Sequence, residues 1–204
     1  RRSFLLSRDI MNEEKIKNTY NISVWPELKL NFWGIPKAGN TSIKYLLHQK
    51  SGNSMQIDDD LNQWVHQVKN THYITSEEAM SNGFTNFTVT RNPYDRFLSM
   101  FKDVLRRGGS MGLSRCRTIE NFVAHLELTP DERRNVHFRS QCHFLRDHDI
   151  MHMDISDTEK LSDFFQCEVP HKNAIKKSIE MNEHLRKRVY AIYAADFEKF
   201  GYEK

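Results

Sequence analysis

The sequence predicts an α/β fold in three layers, with a mainly parallel sheet flanked by helices. Segments with strand character alternate along the chain with segments of helical periodicity, which is the order that parallel sheets require. At residues 35–42 and 91–99 a predicted strand passes directly into a predicted helix. In open parallel sheets such junctions open on the carboxyl edge of the strands, where ligands bind.

The chain begins with a polar stretch and a first strand–helix pair. Residues 1–25 are predicted to form an N-terminal arm, and residues 26–204 a single domain. Residues 28–34 alternate apolar and polar side chains, which favours a strand. Over residues 41–50 the apolar side chains recur on one helical face, so this segment is predicted to be a helix.

Stronger local signals mark the elements that follow. A short strand is predicted at residues 72–75, and Thr75 and Glu78 then have the spacing of a capping box at a helix start. Residues 85–90 are rich in Thr, with one Phe and one Val, and favour a strand. Asn92 precedes a proline, a pair that suits the cap and first turn of a helix, here expected to run to about residue 107.

The second half of the chain continues the alternation. Helices are predicted over residues 118–128, 130–136, 157–166 and 178–195, and a strand over residues 150–155.

Bulk composition narrows the class of protein. The 204 residues, 38% of them hydrophobic and 28% charged, suffice for one domain with a sizeable core. The formal net charge of +3 is small for a nucleic-acid-binding protein and suits a small polyanionic ligand. No run of about 18 apolar residues occurs, so no membrane segment is expected in this chain. Three cysteines make no disulfide framework and favour a reducing compartment.

The stretch Pro-Lys-Ala-Gly-Asn-Thr-Ser at residues 36–42 predicts a first anion site. Its glycine lets the backbone turn and approach a ligand, and the first amides of the next helix present the positive end of the helix dipole. The lysine precedes the glycine, unlike the usual nucleotide loop G-x-x-x-x-G-K-[ST]. A plain strand–turn–helix connection with a capping hydroxyl is the alternative. The predicted ligand-binding residues are Lys37, Ala38, Gly39, Asn40, Thr41 and Ser42.

A second anion site is predicted where the next strand ends. Arg91 stands at that end and Ser99 lies on the helix that follows. Arginine binds phosphate through a planar fork of donors, so this pair could hold a second phosphate. The alternative is a surface arginine paired with Asp95 near the helix start.

Taken together, the two motifs resemble the donor-binding motifs of sulfotransferases. Residues 36–42 are similar to the loop that binds a 5′-phosphosulfate, and residues 91–99 to the motif that binds a 3′-phosphate. The resemblance implies a P-loop-like α/β domain and the donor 3′-phosphoadenosine 5′-phosphosulfate (PAPS), with its desulfated form (PAP) as product. It covers about residues 28–202 and extends to segments of the carbohydrate (Golgi-type) branch at residues 137–145, 169–173 and 192–202.

The resemblance also implies how the donor is held without a metal ion. A kinase neutralises a triphosphate with Mg²⁺, whereas a sulfuryl group in transfer carries less charge. Lys37 and backbone amides can then stabilise the bridging oxygen as its bond breaks. Further donor contacts are expected from Arg139, Asn173 and Lys176, and Arg139 could instead contact an acidic acceptor.

Transfer to a hydroxyl needs a general base, most often histidine. Residues 73–78 resemble a segment that follows the base in the carbohydrate branch, which places the base at His66, with His72 as the second candidate. Either residue could instead be an ordinary surface histidine. The acidic run at residues 58–60 is a weaker candidate base, and the composition favours a solvated loop there.

Two other classes of function stay open at this point. A P-loop nucleotide or small-molecule kinase would need a lysine late in the loop and a metal-holding aspartate after a strand. A non-catalytic module that binds sulfated glycans would need only basic patches. The acceptor hydroxyl is expected on a carbohydrate or small molecule. A cytoplasmic location is expected, or the Golgi lumen if an anchor precedes this chain.

Overall fold

Four strands and seven α-helices make up the described part of the chain. A computed structural model describes residues 21–53, 64–67, 71–107, 112–169 and 180–204. The strands are β1 (Ile22–Trp25), β2 (Leu30–Trp33), β3 (Thr85–Thr90) and β4 (Met151–Asp154). The helices are α1 (Asn40–Lys50), α2 (Ser76–Ser81), α3 (Pro93–Arg107), α4 (Ile119–Glu127), α5 (Gln141–Leu145), α6 (Thr158–Phe165) and α7 (Glu183–Phe200). Short 3₁₀ turns lie at Pro26–Leu28, Asp131–Arg133 and Val136–Phe138.

The strands form one sheet in the order β1-β2-β3-β4. β1 runs antiparallel to β2, with Ile22 opposite Trp33. β2 and β3 are parallel, with Leu30 opposite Thr85, and the helices α1 and α2 lie between them in the chain. The predicted α/β fold with a mainly parallel sheet is confirmed.

The described residues divide into two compact units. The first unit lies within Arg1–Gly34 and Thr41–Thr88, and the second within Ile35–Asn40 and Val89–Lys204. The single domain over residues 26–204 stays a prediction from the sequence.

Aromatic and aliphatic side chains build the core of the first unit. Phe32 of β2 stacks on Phe87 of β3 with ring centroids 5.1 Å apart. The side-chain amide of Asn31 donates to the carbonyl of Ala79 in α2 at 3.0 Å, which fixes that short helix to the strand. The apolar face predicted for residues 41–50 is buried, as expected for a helix packed on a core: Ile43, Leu46 and Leu47.

Three helices supply most of the core of the second unit. The rings of Phe97 on α3 and Phe122 on α4 stack with centroids 5.4 Å apart. Val189 and Tyr193 of α7 are buried in the same cluster. The hydroxyl of Tyr193 donates to the carbonyl of Phe138 at 2.8 Å, so this buried polar group is satisfied.

Two helix starts follow the predicted capping chemistry. The hydroxyl of Thr75 accepts from the amide of Glu78 at 3.2 Å, and the Glu78 carboxylate accepts from the amide of Thr75 at 2.8 Å. Both halves of the predicted capping box are therefore present. At the start of α3, Asn92 Oδ1 accepts from the amide of Tyr94 at 2.9 Å, and Pro93 is the first helical residue.

Some predicted boundaries were wrong. Residues 22–25, assigned to the arm, form β1, because Ile22 and Trp25 are buried and their backbone pairs with β2. Residues 1–20 lie outside the described part. The strand predicted at residues 72–75 is a single bridge from Tyr73 to Ser23.

Two helix predictions also need correction. Residues 130–136 form 3₁₀ turns instead of one helix, because Asn135 caps a new turn there by accepting from the amide of His137 at 3.0 Å. The last helix begins at Glu183, five residues after its predicted start at 178, because the side chain of Asn182 caps it by accepting from the amide of Leu185. It continues to Phe200, and Gly201 ends it in the left-handed conformation.

Candidate anion site and candidate base

The loop that precedes α1 is held by two arginines of the second unit. Arg96 Nε donates to the carbonyl of Pro36 at 3.0 Å, and Arg91 Nη1 donates to the carbonyl of Lys37 at 3.3 Å. Arg96 is only 1% exposed, so its charge is buried under the loop. The two predicted anion motifs thus meet, since residues of the second motif bind the backbone of the first.

The backbone of this loop is tightly constrained. Gly39 has a φ of +78°, and a Cβ added there would lie 2.1 Å from Ile155 Cδ1. Lys37 has a φ of +69°, a left-handed conformation that is uncommon for residues other than glycine. Strained backbone of this kind persists only where the surroundings impose it, and it is frequent at ligand sites.

The side chain of Lys37 shares one buried carboxylate with two arginines. Lys37 Nζ lies 3.0 Å from Asp103 Oδ2, and Arg106 and Arg107 contact the same carboxylate at 2.7 and 2.5 Å. Burial opposes the charge of Asp103, but hydrogen bonds from the three cations outweigh it and hold the pKa of that carboxyl well below its usual range. Burial lowers the pKa of Lys37, and Asp103 counters that effect.

Arg91 is fixed by a side chain far along the sequence. Gln141 Oε1 accepts from the amide of Arg91, and Gln141 Nε2 donates to its carbonyl, both at 2.9 Å. The buried carboxylate of Asp196 accepts from the amides of Gln141 and Cys142 at 2.8 and 2.9 Å. Gln141 therefore holds the backbone of Arg91 through both ends of its side-chain amide.

The other predicted donor contacts have varied surroundings. Ser99 lies partly buried on α3. The guanidinium of Arg139 donates to the carbonyls of Arg134 and Glu132 and contacts His143 Nε2. These contacts are those of a side chain that braces a loop, and its role toward a donor or acceptor stays a prediction. Three further predictions lie outside the described residues: Asn173, Lys176 and the acidic run at residues 58–60.

In the first unit, the candidate base His66 lies beside α1, the helix that follows the loop. Thr41 and Ser42 lie in the first turn of α1. His66 Nε2 lies 3.2 Å from Thr41 Oγ1, and the ring is exposed. His72 is also exposed, and its carbonyl accepts from the amide of Val24 at 3.0 Å.

Lys44 belongs to this cluster and was missed by the sequence analysis. Its side chain is 1% exposed, yet among the described residues no carboxylate forms an ion pair with it. Lys44 Nζ donates to the hydroxyl of Tyr73 at 2.7 Å and lies 3.4 Å from His66 Nδ1. Burial lowers the pKa of Lys44 to about 7. The spacing of Lys44 from Thr41 could have indicated that Lys44 belongs to the site. The two residues are three apart on a helix, so they share a face.

A kinase of this fold would need a metal-holding aspartate after a strand, and Asp154 is the last residue of β4. Its carboxylate accepts from the amide of Ser156 at 2.6 Å and from the hydroxyl of Tyr202. Within the described residues, no group of three His, Cys, Asp or Glu side chains is placed to hold a metal ion. No helix in the same part of the chain is long and apolar enough to span a bilayer.

The loop combines a glycine turn with a lysine, the buried Arg96 and the partly buried Arg91. This arrangement is typical of α/β proteins that bind phosphate- or sulfate-bearing ligands. The chain belongs to the sulfotransferase family, because the model of that family matches residues 20–203. No curated protein and no solved structure matches the chain significantly. The predicted family is confirmed, and with it transfer of a sulfuryl group to an acceptor substrate as the general activity.

Proposed function

We propose that this protein transfers the sulfuryl group of PAPS to a hydroxyl of a carbohydrate or small-molecule acceptor. One observation carries the proposal: Arg91 of the second motif donates to the Lys37 carbonyl of the first motif at 3.3 Å. PAPS bears an anionic group at each end, so two adjoining cationic motifs suit it better than one. Family membership supports the reaction type.

The residues around the loop fit such a donor. Arg96 Nη2 is buried and has no hydrogen-bond partner among the described residues, so an anion could satisfy it. Gly39 leaves no room for a side chain, as expected where backbone amides approach a ligand. The first amides of α1 have no partner within the helix, and they follow directly in the chain.

Lys37 is proposed to stabilise the charge that develops on the leaving oxygen. When bound, PAPS supplies the activated sulfuryl group. The ammonium of Lys37 can turn from Asp103 toward the donor at small cost, because Arg106 and Arg107 remain on that carboxylate. While Lys37 is paired with Asp103, the carboxylate opposes the lowering of the Lys37 pKa that burial causes.

His66 is proposed as the general base that takes the proton of the acceptor hydroxyl. Its Nε2 lies at hydrogen-bond distance from the hydroxyl of Thr41, which shows that this nitrogen can face a hydroxyl group. Thr41 belongs to the anion motif, so the contact favours His66 over His72.

The test is calorimetric titration with PAP, without metal, on the wild type and on Lys37→Ala and Arg91→Ala. We expect affinity to fall about tenfold for Lys37→Ala and about 100-fold for Arg91→Ala, since each removes a charge-assisted contact. Matched controls are Lys50→Ala and Arg133→Ala, which remove the same charges from exposed positions and should bind PAP like the wild type.

The alternatives give different results in the same experiment. A kinase would bind ATP with Mg²⁺ and ignore PAP, and Asp154→Asn would then abolish that binding. A glycan-binding module would bind sulfated glycans with strong salt dependence and would tolerate Lys37→Ala. Absence of PAP binding by the wild type would overturn the proposal.

A further inference from the structure

A buried lysine beside the proposed base is not explained by sulfuryl transfer as described so far. Lys44 lies on α1 with its amine between the Tyr73 hydroxyl at 2.7 Å and His66 Nδ1 at 3.4 Å. The amine also lies 4.4 Å from the centre of the Tyr73 ring. An unpaired ammonium is costly to bury, so such a lysine needs a reason to be there.

We propose that Lys44 is a positioning residue that decides which ring nitrogen of His66 carries the proton, and that its neutral form selects the tautomer able to act as a base. The inference rests on the proposed function in taking His66 as that base. It deepens the proposal by naming the group that prepares the histidine.

The hydrogen-bond chemistry of the cluster gives two states. A charged Lys44 has three donors and no acceptor. It can then only donate to His66 Nδ1, so the proton of the neutral imidazole is on Nε2. With that proton in place, Nε2 cannot take the proton of an acceptor hydroxyl. A neutral Lys44 has a lone pair that accepts from Nδ1–H. Nε2 is then unprotonated and faces a hydroxyl, as it faces that of Thr41 at 3.2 Å.

Both states keep the contact with Tyr73. Its hydroxyl oxygen accepts from either form of the lysine, and its hydroxyl proton faces the carbonyl of His66 at 3.5 Å. The phenol therefore ties the segment that bears His66 to α1 while the lysine changes charge.

The titrating groups around Lys44 support the neutral state near physiological pH. Burial lowers the pKa of Lys44 to about 7. His48, one turn further along α1, has its pKa lowered to about 4 by burial and by Lys44, so it is neutral there. Among the described residues, Tyr73 and His66 also face the amine of Lys44. As pH rises through about 7, Lys44 loses its proton and the base-competent tautomer forms.

The reaction step balances with these groups. The acceptor oxygen forms a bond to sulfur while the bond from sulfur to the donor's phosphate oxygen breaks, and PAP leaves with that electron pair. The hydroxyl proton moves to His66 Nε2. The Nδ1 proton passes to the neutral amine of Lys44, so the imidazole returns to its neutral form.

The test uses nitrogen-15 NMR of the histidine ring, which distinguishes protonated from unprotonated ring nitrogens and needs no acceptor substrate. His66→Gln identifies the His66 signals. At pH 9 we expect the proton on Nδ1 in the wild type and on Nε2 in Lys44→Arg, whose guanidinium stays charged. In Lys44→Met, which has no amine, the pH-dependent change of tautomer should disappear.

A second readout separates this inference from the proposed function. Each variant is titrated with PAP, and wild-type affinity shows that the fold and the donor site are intact. If the wild type binds PAP but His66 has the same tautomer at pH 9 in the wild type, Lys44→Arg and Lys44→Met, the inference fails alone. If the wild type does not bind PAP, the proposed function fails, and the tautomer result still decides whether Lys44 controls His66.

Discussion

At the scale of single residues, the shared carboxylate of Asp103 opposes the effect of burial on the charge of Lys37. Three cationic side chains share this carboxylate, which is 3% exposed. A buried ion pair is costly to break from one side only, because the remaining charge is left without a partner. Arg106 and Arg107 stay on Asp103 when Lys37 moves, whereas no second carboxylate in the described part of the chain pairs with Lys37.

Asp103→Asn should therefore destabilise the protein at neutral pH by about 3 kcal/mol. The unfolded carboxyl titrates near pH 4 and the folded one below that value. Its stabilisation is complete above about pH 5 and declines as pH falls through 4 toward the folded pKa. The difference from the wild type should shrink by about 1 kcal/mol between pH 7 and pH 3, as urea unfolding at each pH would measure.

The control for this prediction is Asp147→Asn, which changes an exposed aspartate. It should leave the free energy of unfolding within about 0.5 kcal/mol of the wild type at both pH values. Equal stability of Asp103→Asn and the wild type at pH 7 would contradict the account of the shared carboxylate.

At the scale of elements, the loop before α1 keeps its shape through backbone contacts. Two of its carbonyls bind Arg96 and Arg91, and Gly39 packs against Ile155 within the same unit. Because the carbonyls are held, the loop cannot easily rotate its peptide groups. A preformed loop binds an anion without the cost of ordering it.

Gly39→Ala should distort this loop for two separable reasons. The left-handed φ of +78° costs an alanine about 1–2 kcal/mol, and the new Cβ collides with Ile155. Gly52→Ala is the matched control, because its φ is +81° and no heavy atom lies within 4 Å of the added Cβ. We expect Gly39→Ala to lose more stability than Gly52→Ala in urea unfolding, and to bind PAP at least about tenfold more weakly.

A second-site change separates the two causes. Ile155→Ala in the Gly39→Ala background should recover the steric part of the loss and leave the part due to φ. If both glycine variants lose the same stability and bind PAP equally, close packing of the loop is not what shapes the site.

At the scale of the whole molecule, long-range contacts in the second unit join distant parts of the chain. Asp196 on the last helix holds the start of α5, and Gln141 at that start holds the backbone of Arg91. These three residues belong to segments that resemble sulfotransferase motifs. The contacts give each segment a structural reason to be present, beyond any contact with the donor.

Asp196→Ala should loosen Arg91 from a distance. It leaves the amides of Gln141 and Cys142 buried without an acceptor, at a cost of about 3 kcal/mol in all. The Arg91 amide donates a hydrogen bond to Gln141 Oε1. When Gln141 loosens, hydrogen exchange at this amide should become faster relative to exchange at amides in the middle of β3. PAP affinity should fall severalfold as a consequence.

Glu198→Ala, at an exposed position on the same helix, serves as the control and should change neither measurement. A destabilised Asp196→Ala protein that still protects the Arg91 amide like the wild type would show that Gln141 holds its place without Asp196.

Local sequence was sufficient for the fold class and several helix starts, and the anion-binding role of the two motifs stays a prediction. The capping box at Thr75 and the start of α3 at Pro93 depend on side chains within three residues of the backbone they bind, so spacing alone predicts them. The same signals failed at residues 130–136, where Asn135 caps a new 3₁₀ turn and no single helix forms. They also failed at residues 22–25, where backbone pairing with β2 makes a strand of a segment predicted to be a polar arm.

Tertiary packing alone determined the partners of the charged groups. Lys37 contacts Asp103, and Lys44 contacts His66. The distance between these residues along the sequence does not predict either contact, because each depends on how the whole core packs. Burial then sets their protonation, since desolvation depends on every neighbour at once. The sequence indicates which side chains are able to do the chemistry, and packing decides which of them come into contact.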